Sequence, residues 1–261
     1  MITHFEHLQL HTVSIQGVKR FYHDQLHIPV AYESDREITL QLSEHTHETG
    51  QPLSPVHLAF EVPYSEFDHV VDVFDRASIA LLKWPDGRKI DNYATGRNFY
   101  FRDGDGNLLE IIAHPYVKEG ILPAAGETKV LYLREIGFPV DSVIDFRNLM
   151  VEVFDFKLDK VADDFSFAIG GTAHMVIVSK QRKWIPIAMR ALVPPMKISF
   201  GASSSEYMNK IRSRLAEKDI PYESETDGTL HFKLYEYEMS IRLSDFPAEA
   251  PALLNLPFSN K

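Results

Sequence analysis

The sequence contains no cysteine among its 261 residues. This absence excludes disulfide bonds, a thiolate nucleophile and a cysteine-based zinc site. Basic residues are also few, because 27 Lys and Arg stand against 37 Asp and Glu and give a formal net charge of -10. An anionic chain is repelled by nucleic-acid phosphates and by anionic membrane surfaces, so the sequence predicts neither as a partner.

Long apolar segments are missing as well. No run approaches the roughly 18 apolar residues of a membrane-spanning helix, and the start, MITHFEHLQL, lacks the basic and apolar regions of a signal peptide. Glycine-rich phosphate loops and a Gly-x-Ser-x-Gly nucleophile motif are absent too. With 44% hydrophobic and 25% charged residues, the composition is that of a soluble globular protein, and we expect a cytoplasmic location.

The segment Arg97–His114 carries the first chemical signal. Its Asp-Gly-Asp-Gly-Asn cluster favours a tight turn between two apolar runs, which predicts a β-hairpin. On the returning strand, Leu108, Glu110 and Ile112 share one face. A buried carboxylate needs a cation, hydrogen bonds or a proton, so we expect Glu110 to have a partner.

Two histidines interrupt other strand patterns in the same way. His57 lies in an apolar run, and His7 lies on the polar face of the first strand, where Gln9 and His11 follow it. Imidazole and carboxylate groups together suit Zn, Fe, Mn, Ni or Co. His7, His57 and Glu110 therefore form a candidate site for one divalent metal ion, with open positions for water and substrate. For a single histidine, a structural role with a backbone hydrogen bond is the alternative.

The order of these segments resembles the vicinal-oxygen-chelate superfamily, which includes glyoxalase I, extradiol ring-cleaving dioxygenases, fosfomycin-resistance enzymes and bleomycin-binding proteins. The resemblance rests on His7 at the head of the first strand, followed by GVKRFYHDQLHIPVAY, VHLAFEV and YFRDGDGNLLEII. It covers about residues 4–114 and implies that His7, His57 and Glu110 are the metal ligands. It also implies an enzyme that binds two neighbouring oxygens of a small substrate to the metal.

The apolar patterns and this resemblance predict an α+β fold, in which a tandem repeat of paired βαβββ modules forms curved, barrel-like mixed sheets with the helices outside. Two modules fill residues 1–114, and a linker with proline and small residues follows at 115–129. The same order recurs at 130–245, before a tail at 246–261. The period of about 125–130 residues indicates duplication of a whole domain.

The metal-binding chemistry does not recur in the second half. The residues near the three ligand positions there are Glu135, Lys197 and the segment Met239–Ile241. Ten of the twelve histidines also lie in residues 1–114. Because a metal site needs its full ligand set, we expect a metal-bearing first domain and a degenerate second domain without ligands.

Two arrangements of the modules are open. In the one that we expect, the first domain closes its own cavity and brings its three ligands together. In the alternative, modules exchange between the halves, so that His7 joins Lys197 in one cavity while His57 and Glu110 face Glu135 in the other.

Further residues are assigned around the metal. Tyr100 is the candidate catalytic residue, because its hydroxyl can donate to a metal-bound substrate oxygen. Gln9 and His11 share the face of His7 and are candidate substrate-binding residues. The apolar segment Trp184–Met196 has three possible places: between domains, between subunits or over the cavity.

The predicted function is a metal-dependent enzyme that chelates a small oxygen-rich substrate, as a monomer or homodimer. An extradiol dioxygenase is one specific form, but Gly104 replaces the proline of its signature and no histidine lies between Lys89 and Tyr100. The extra carboxylate of glyoxalase I is also absent near Gln41 and Leu42. Two other classes stay open: a metal-free binding protein like the bleomycin-sequestering relatives, and a protein that keeps the fold without activity.

Overall fold

The computed structural model describes residues 1–41 and 54–257, together with the backbone of residues 45–49. The predicted connector Ser43–Pro55 and the end of the predicted tail therefore lie partly outside the described residues. The elements are β1 (Ile2–Thr12), α1 (Ile15–Val18, continued by a π-helix over Lys19–Gln25), β2 (Val30–Glu33), β3 (Glu37–Leu40), β4 (His45–Thr49), β5 (His57–Glu61), α2 (Phe67–Arg76, after a 3₁₀ turn at Tyr64–Glu66), β6 (Ile90–Tyr93), β7 (Gly96–Arg102), β8 (Leu108–Ala113), β9 (Tyr132–Val140), α3 (Val143–Phe154), β10 (Lys157–Asp159), β11 (Phe165–Gly170), β12 (Ala173–Ser179), β13 (Met196–Ala202), α4 (Ser205–Glu217), β14 (Tyr222–Ser224), β15 (Leu230–Leu234), β16 (Tyr237–Leu243) and α5 (Ala250–Leu253).

These elements form four successive βαβββ modules. Module one contains β1–β4, module two β5–β8, module three β9–β12 and module four β13–β16, each with a helix after its first strand. Serine caps begin three of these helices: the side chains of Ser14, Ser142 and Ser204 accept hydrogen bonds from the backbone N–H groups of Gly17, Asp145 and Tyr207 respectively. The predicted α+β class with tandem modules and mixed sheets is confirmed.

The modules pair across the two halves of the chain. One eight-stranded sheet has the order β14-β15-β16-β13-β1-β4-β3-β2 and joins modules four and one; we call it the outer-module sheet. The other has the order β10-β11-β12-β9-β5-β8-β7-β6 and joins modules three and two; we call it the inner-module sheet. The first strands form both junctions, since β1 pairs antiparallel with β13 and β5 with β9. The expectation of a self-contained first domain is thus corrected in favour of exchange.

A single apolar core joins the two sheets. Phe138 of the inner-module sheet packs edge to face on Tyr237 of the outer-module sheet at 5.0 Å between ring centroids, and the hydroxyl of Tyr237 donates to the backbone oxygen of Pro139 at 2.8 Å. Alternate residues of β7 and β8, such as Phe99 and Leu109, face this core. The other residues of these strands face away from it, and they form the candidate site.

Two local features of the structure were not predicted from the sequence. The polar connector at 43–55 contains β4, which pairs parallel with β1. No strand begins at Ala80, because residues 77–89 form turns and irregular backbone. Among the described residues, no helix has both the length and the apolar character needed to cross a membrane.

Candidate metal centre

The centre of the inner-module sheet carries three ligand-type side chains. His57 lies on β5, Glu110 on the neighbouring β8, and Glu135 on β9 at the other side of β5. In the strand register, Ala59 stands opposite both Glu110 and Glu135. Its small side chain leaves space between the two carboxylates on the shared face, so the backbone pairing itself brings them together.

The three side chains converge. His57 Nε2 lies 3.7 Å from Glu110 Oε2 and 3.9 Å from Glu135 Oε2. One ligand atom from each of the three residues lies within 4.8 Å of the other two. All three residues are buried, and within the described part of the chain they are the only group of at least three such side chains with this spacing.

Burial and mutual charge perturb all three groups. Burial and the neighbouring Glu135 raise the pKa of Glu110 to about 8, against the opposing effect of His57. Burial would also raise the pKa of Glu135, but a hydrogen bond with His57 and the charge of Arg134 keep it below its usual value. Burial lowers the pKa of His57, and the two carboxylates outweigh that effect and raise it. Near neutral pH Glu110 therefore holds a proton, which a bound cation would displace.

Hydrogen bonds orient the cluster. His57 Nδ1 lies 3.3 Å from the backbone oxygen of Leu108, which leaves Nε2 facing the carboxylates. Asn98 Nδ2 donates to Glu110 Oε1 at 2.6 Å, and the Tyr100 hydroxyl also donates to Glu110. One imidazole nitrogen and two carboxylates, all buried and close together, are a donor set that fits a divalent metal ion.

A buried ion network supports the cluster from one side. Glu61 accepts hydrogen bonds from Arg134 Nη1 at 3.0 Å and from His114 Nδ1 at 2.9 Å. Arg134 Nη2 donates to the Tyr116 hydroxyl at 2.8 Å, and its Nε lies 3.7 Å from Glu135 Oε1. Arg134 therefore links the candidate ligand Glu135 to a second buried carboxylate.

A cavity of about 530 Å³ lies over these residues. Its wall is an apolar cluster, separate from the main core, that contains Leu108, Val176, Val178, Trp184 and Ala191. The Trp184 ring lies 5.2 Å from the His57 ring. Trp184 and Ile185, which begin the segment Trp184–Met196, lie over this cavity, whereas its end, 193–196, lines another cavity.

Unpartnered polar atoms concentrate around this cavity. Among the described residues, seven buried side-chain nitrogen or oxygen atoms have no hydrogen-bond partner. Five of these atoms belong to residues that line the cavity: Trp84 Nε1, Asn98 Oδ1, Arg134 Nε, His174 Nε2 and Trp184 Nε1. Because a buried polar atom without a partner is costly, this concentration points to a polar occupant.

The predicted site residues divide between the two sheets. His57 and Glu110 meet, and Tyr100 lies beside them in the same cavity. His7 lies on β1 opposite Ser199 in the outer-module sheet, so its predicted place with the other two ligands is corrected. Gln9 and His11 line a different cavity, of about 260 Å³, beside Lys197. The reason is the exchange of modules, which separates the first strand of module one from module two.

Glu135 is the residue that replaces His7 in the cluster. Its position brings a ligand-type side chain from residues 130–245 into the cluster, although the sequence predicted no ligand from that half. A signal was present in the sequence, because Arg134 and Glu135 interrupt the apolar run 130–140 as Glu110 interrupts its own strand. The partner strand of this run could not be read from the same pattern.

Gly137 controls the position of the indole wall. A Cβ atom at Gly137 would lie 2.6 Å from Trp184 Cη2 and 3.0 Å from His57 Cβ. We expect Gly137→Ala to displace Trp184, shift its fluorescence and lower the free energy of unfolding by about 1–3 kcal/mol. Gly104→Ala is the control, since its Cβ would meet nothing within 4 Å. Unchanged emission and stability in Gly137→Ala would contradict this packing.

Two solved structures align with more than 90% of this chain, and a third aligns with less than half of it. A "putative dioxygenase" from Bacillus subtilis aligns with 98% of this chain and 92% of its own, at a TM-score of 0.70 and 11% identity. A glyoxalase I variant from Zea mays aligns over 91% of both chains, at a TM-score of 0.58 and 9% identity. Oxidase ChaP-H1 aligns with 44% of this chain and 98% of its own, at a TM-score of 0.38 and 26% identity.

No protein-family model and no curated protein matches the sequence. The two full-length matches share the architecture of tandem modules at very low identity, so they establish the fold and leave the chemistry to the site. The fold that the resemblance of residues 4–114 implied is thereby confirmed, and the chain shares its two-domain architecture with these two structures.

Proposed function

We propose that the protein is a metal-dependent enzyme in which His57, Glu110 and Glu135 hold one divalent ion, of Fe, Mn, Zn, Ni or Co, and the cavity binds a small oxygen-rich substrate. The observation that carries this proposal is the convergence of three buried ligand-type side chains at the floor of a cavity. The two full-length structural matches are named as a dioxygenase and a glyoxalase I, and both names denote enzymes that act on small oxygen-containing substrates.

The symmetry of the sheet supports a site with three protein ligands. Ala59 lies two positions beyond His57 on β5. Glu110 stands opposite Ala59 on the neighbouring strand, β8. In module three, Glu135 and Gly137 on β9 occupy the positions of His57 and Ala59. Val176 on β12 stands opposite Gly137, at the position that corresponds to Glu110. Since valine cannot ligate a metal, coordination positions stay open for substrate and water.

A bound ion of this type would polarise a substrate oxygen and lower the pKa of a bound water. Burial and the charges of Glu110 and Glu135 raise the pKa of Tyr100 well above its usual value, so its phenol stays protonated and acts as a hydrogen-bond donor. Asn98 fixes Glu110, and the apolar wall around Trp184 excludes water. Tyr100 is the residue that we assign to hydrogen-bond donation to a substrate oxygen.

Metal analysis tests the proposal directly. After reconstitution with each of the five metals in turn, we expect about one equivalent of at least one metal per chain. Because Glu110, with a pKa of about 8, must lose its proton to bind the ion, affinity should rise about tenfold per pH unit towards pH 8 and then level off. Less than about a tenth of an equivalent of every metal would reject the enzyme and leave a metal-free binding protein.

A further inference from the structure

We propose that the substrate is a planar aromatic anion, whose ring lies against the aromatic wall of the cavity and whose acidic group faces a basic rim formed by Lys160, Arg182 and Lys183. This inference rests on the proposed function for the identity of the cavity as a substrate site. The binding that it predicts does not require the metal, so the two can fail separately.

The wall supplies flat apolar surfaces. Phe165 and Phe167 pack edge to face at 5.1 Å, and both contact the apolar cluster that contains Trp184. Trp84 lines the same cavity, and its ring meets that of Tyr100 at 5.8 Å. Aromatic rings bind other flat rings by stacked or edge-to-face contacts, so the shape of the wall favours a planar ligand over a branched or saturated one.

The rim supplies positive charge directly above this wall. Lys160 Nζ lies 5.3 Å from the centroid of the Phe167 ring, and the guanidinium of Arg182 lies 4.9 Å from that of Phe165. These cations, together with Lys183, line the same cavity as the phenylalanine rings. Three cations grouped at one cavity are notable in a chain with a net charge of -10.

The neighbouring acids leave part of this charge unmatched. Asp164 pairs with Arg182 at 3.2 Å, and Asp159 accepts a hydrogen bond from the backbone of Lys160 at 2.8 Å. Within the described ranges, neither Lys160 nor Lys183 forms an ion pair with a carboxylate. An anion at the mouth of the cavity would gain from both ammonium groups.

The interior matches an oxygen-rich ligand as well. The unpartnered atoms Trp84 Nε1, Trp184 Nε1 and Arg134 Nε are all donors. Oxygens of a phenol or an acid would accept from them, whereas an ammonium group would not. The volume of about 530 Å³ accommodates a fused two-ring compound with one acidic substituent.

Three matched probes test the inference on the metal-free protein: 2-naphthoate, its neutral analogue 2-naphthamide, and the saturated decahydronaphthalene-2-carboxylate. Calorimetric titration measures their affinities. Location is read by proton NMR of the indole N–H groups, because the chain has only two tryptophans and both line the cavity. We expect 2-naphthoate to bind at least about tenfold more tightly than either analogue and to shift both indole signals.

Substitutions at the rim separate charge from shape. Lys160→Gln combined with Lys183→Gln should weaken 2-naphthoate about tenfold and leave 2-naphthamide unchanged. Lys233→Gln, at an exposed position of β15 in the outer-module sheet, is the matched control and should change neither. Equal affinity for the acid and the amide, equal affinity for the flat and the saturated acid, or no saturable shift of the indole signals would each overturn the inference. The metal analysis is independent of all three results.

Discussion

Replacing Glu135 by glutamine should abolish stoichiometric metal binding, whereas replacing His7 by alanine should leave it intact. Glu135 is one of the three converging groups at the floor of the cavity, and His7 lies in the outer-module sheet. Glutamine keeps the size of the side chain but removes the charge that balances a divalent ion. We expect a loss of at least about a hundredfold in metal affinity, as for Glu110→Gln and His57→Ala.

Competition with a chromogenic chelator measures this loss, and circular dichroism shows whether each variant is folded. Glu238→Gln is a matched control, because Glu238 is an exposed carboxylate that pairs with Lys197 in the outer-module sheet at 3.6 Å. Loss of metal in His7→Ala together with full retention in Glu135→Gln would place the ion in the other sheet. That result would refute the assignment of the three ligands.

Replacing Arg134 by methionine should lower the free energy of unfolding by about 3–5 kcal/mol. Arg134 is 3% exposed and Glu61 is fully buried, and their side chains meet at 3.0 Å. Methionine fills much of the space of the arginine but leaves Glu61 with His114 as its remaining side-chain partner. A buried carboxylate that loses its main cation is far more costly than an exposed one.

Urea denaturation measures this change, and Lys210→Met provides the comparison. Lys210 also pairs with a carboxylate, Asp155, at 2.7 Å, but both side chains are more than a third exposed, so we expect a loss of at most about 1 kcal/mol. Adding Glu61→Gln to Arg134→Met should recover part of the stability, because the unpaired charge is then removed. A loss in Arg134→Met no larger than that in Lys210→Met would show that the network contributes little.

The sequence identified the polar residues that interrupt the apolar pattern of their strands. Glu110 and His57 stand out because each interrupts an apolar run, and a strand alternates its faces with a period of two. The same local rule identifies the face that each residue occupies. It therefore predicted two members of the cluster and the neighbouring Tyr100.

The choice of partner strand could not be read in this way. Leu8 of β1 and Leu58 of β5 both present apolar faces at a sheet junction, and either could pair with β9 or β13 as far as alternation is concerned. The actual pairing depends on packing across the whole core. This is why His7 was grouped with the wrong cavity, and why Glu135 was recognised as a counterpart but not as a ligand.

Some elements could not be predicted from the sequence for a different reason. β4 lies in a polar segment, and β12 follows β11 after a turn at Gly171, so their strand patterns merge with their surroundings. The cavity wall around Trp184 comes from a connector, whose position is set by tertiary contacts and not by local periodicity.

The pairing of modules across the halves has a consequence for how such a gene can change. Each sheet contains one module from each copy of the duplicated domain, so neither copy forms a cavity by itself. A mutation in one copy therefore acts on a sheet that the other copy shares, and the two halves must stay compatible at the strand junctions. The outer-module sheet, in turn, can diverge without touching the ligands, which is a route by which one duplicated protein acquires two dissimilar pockets.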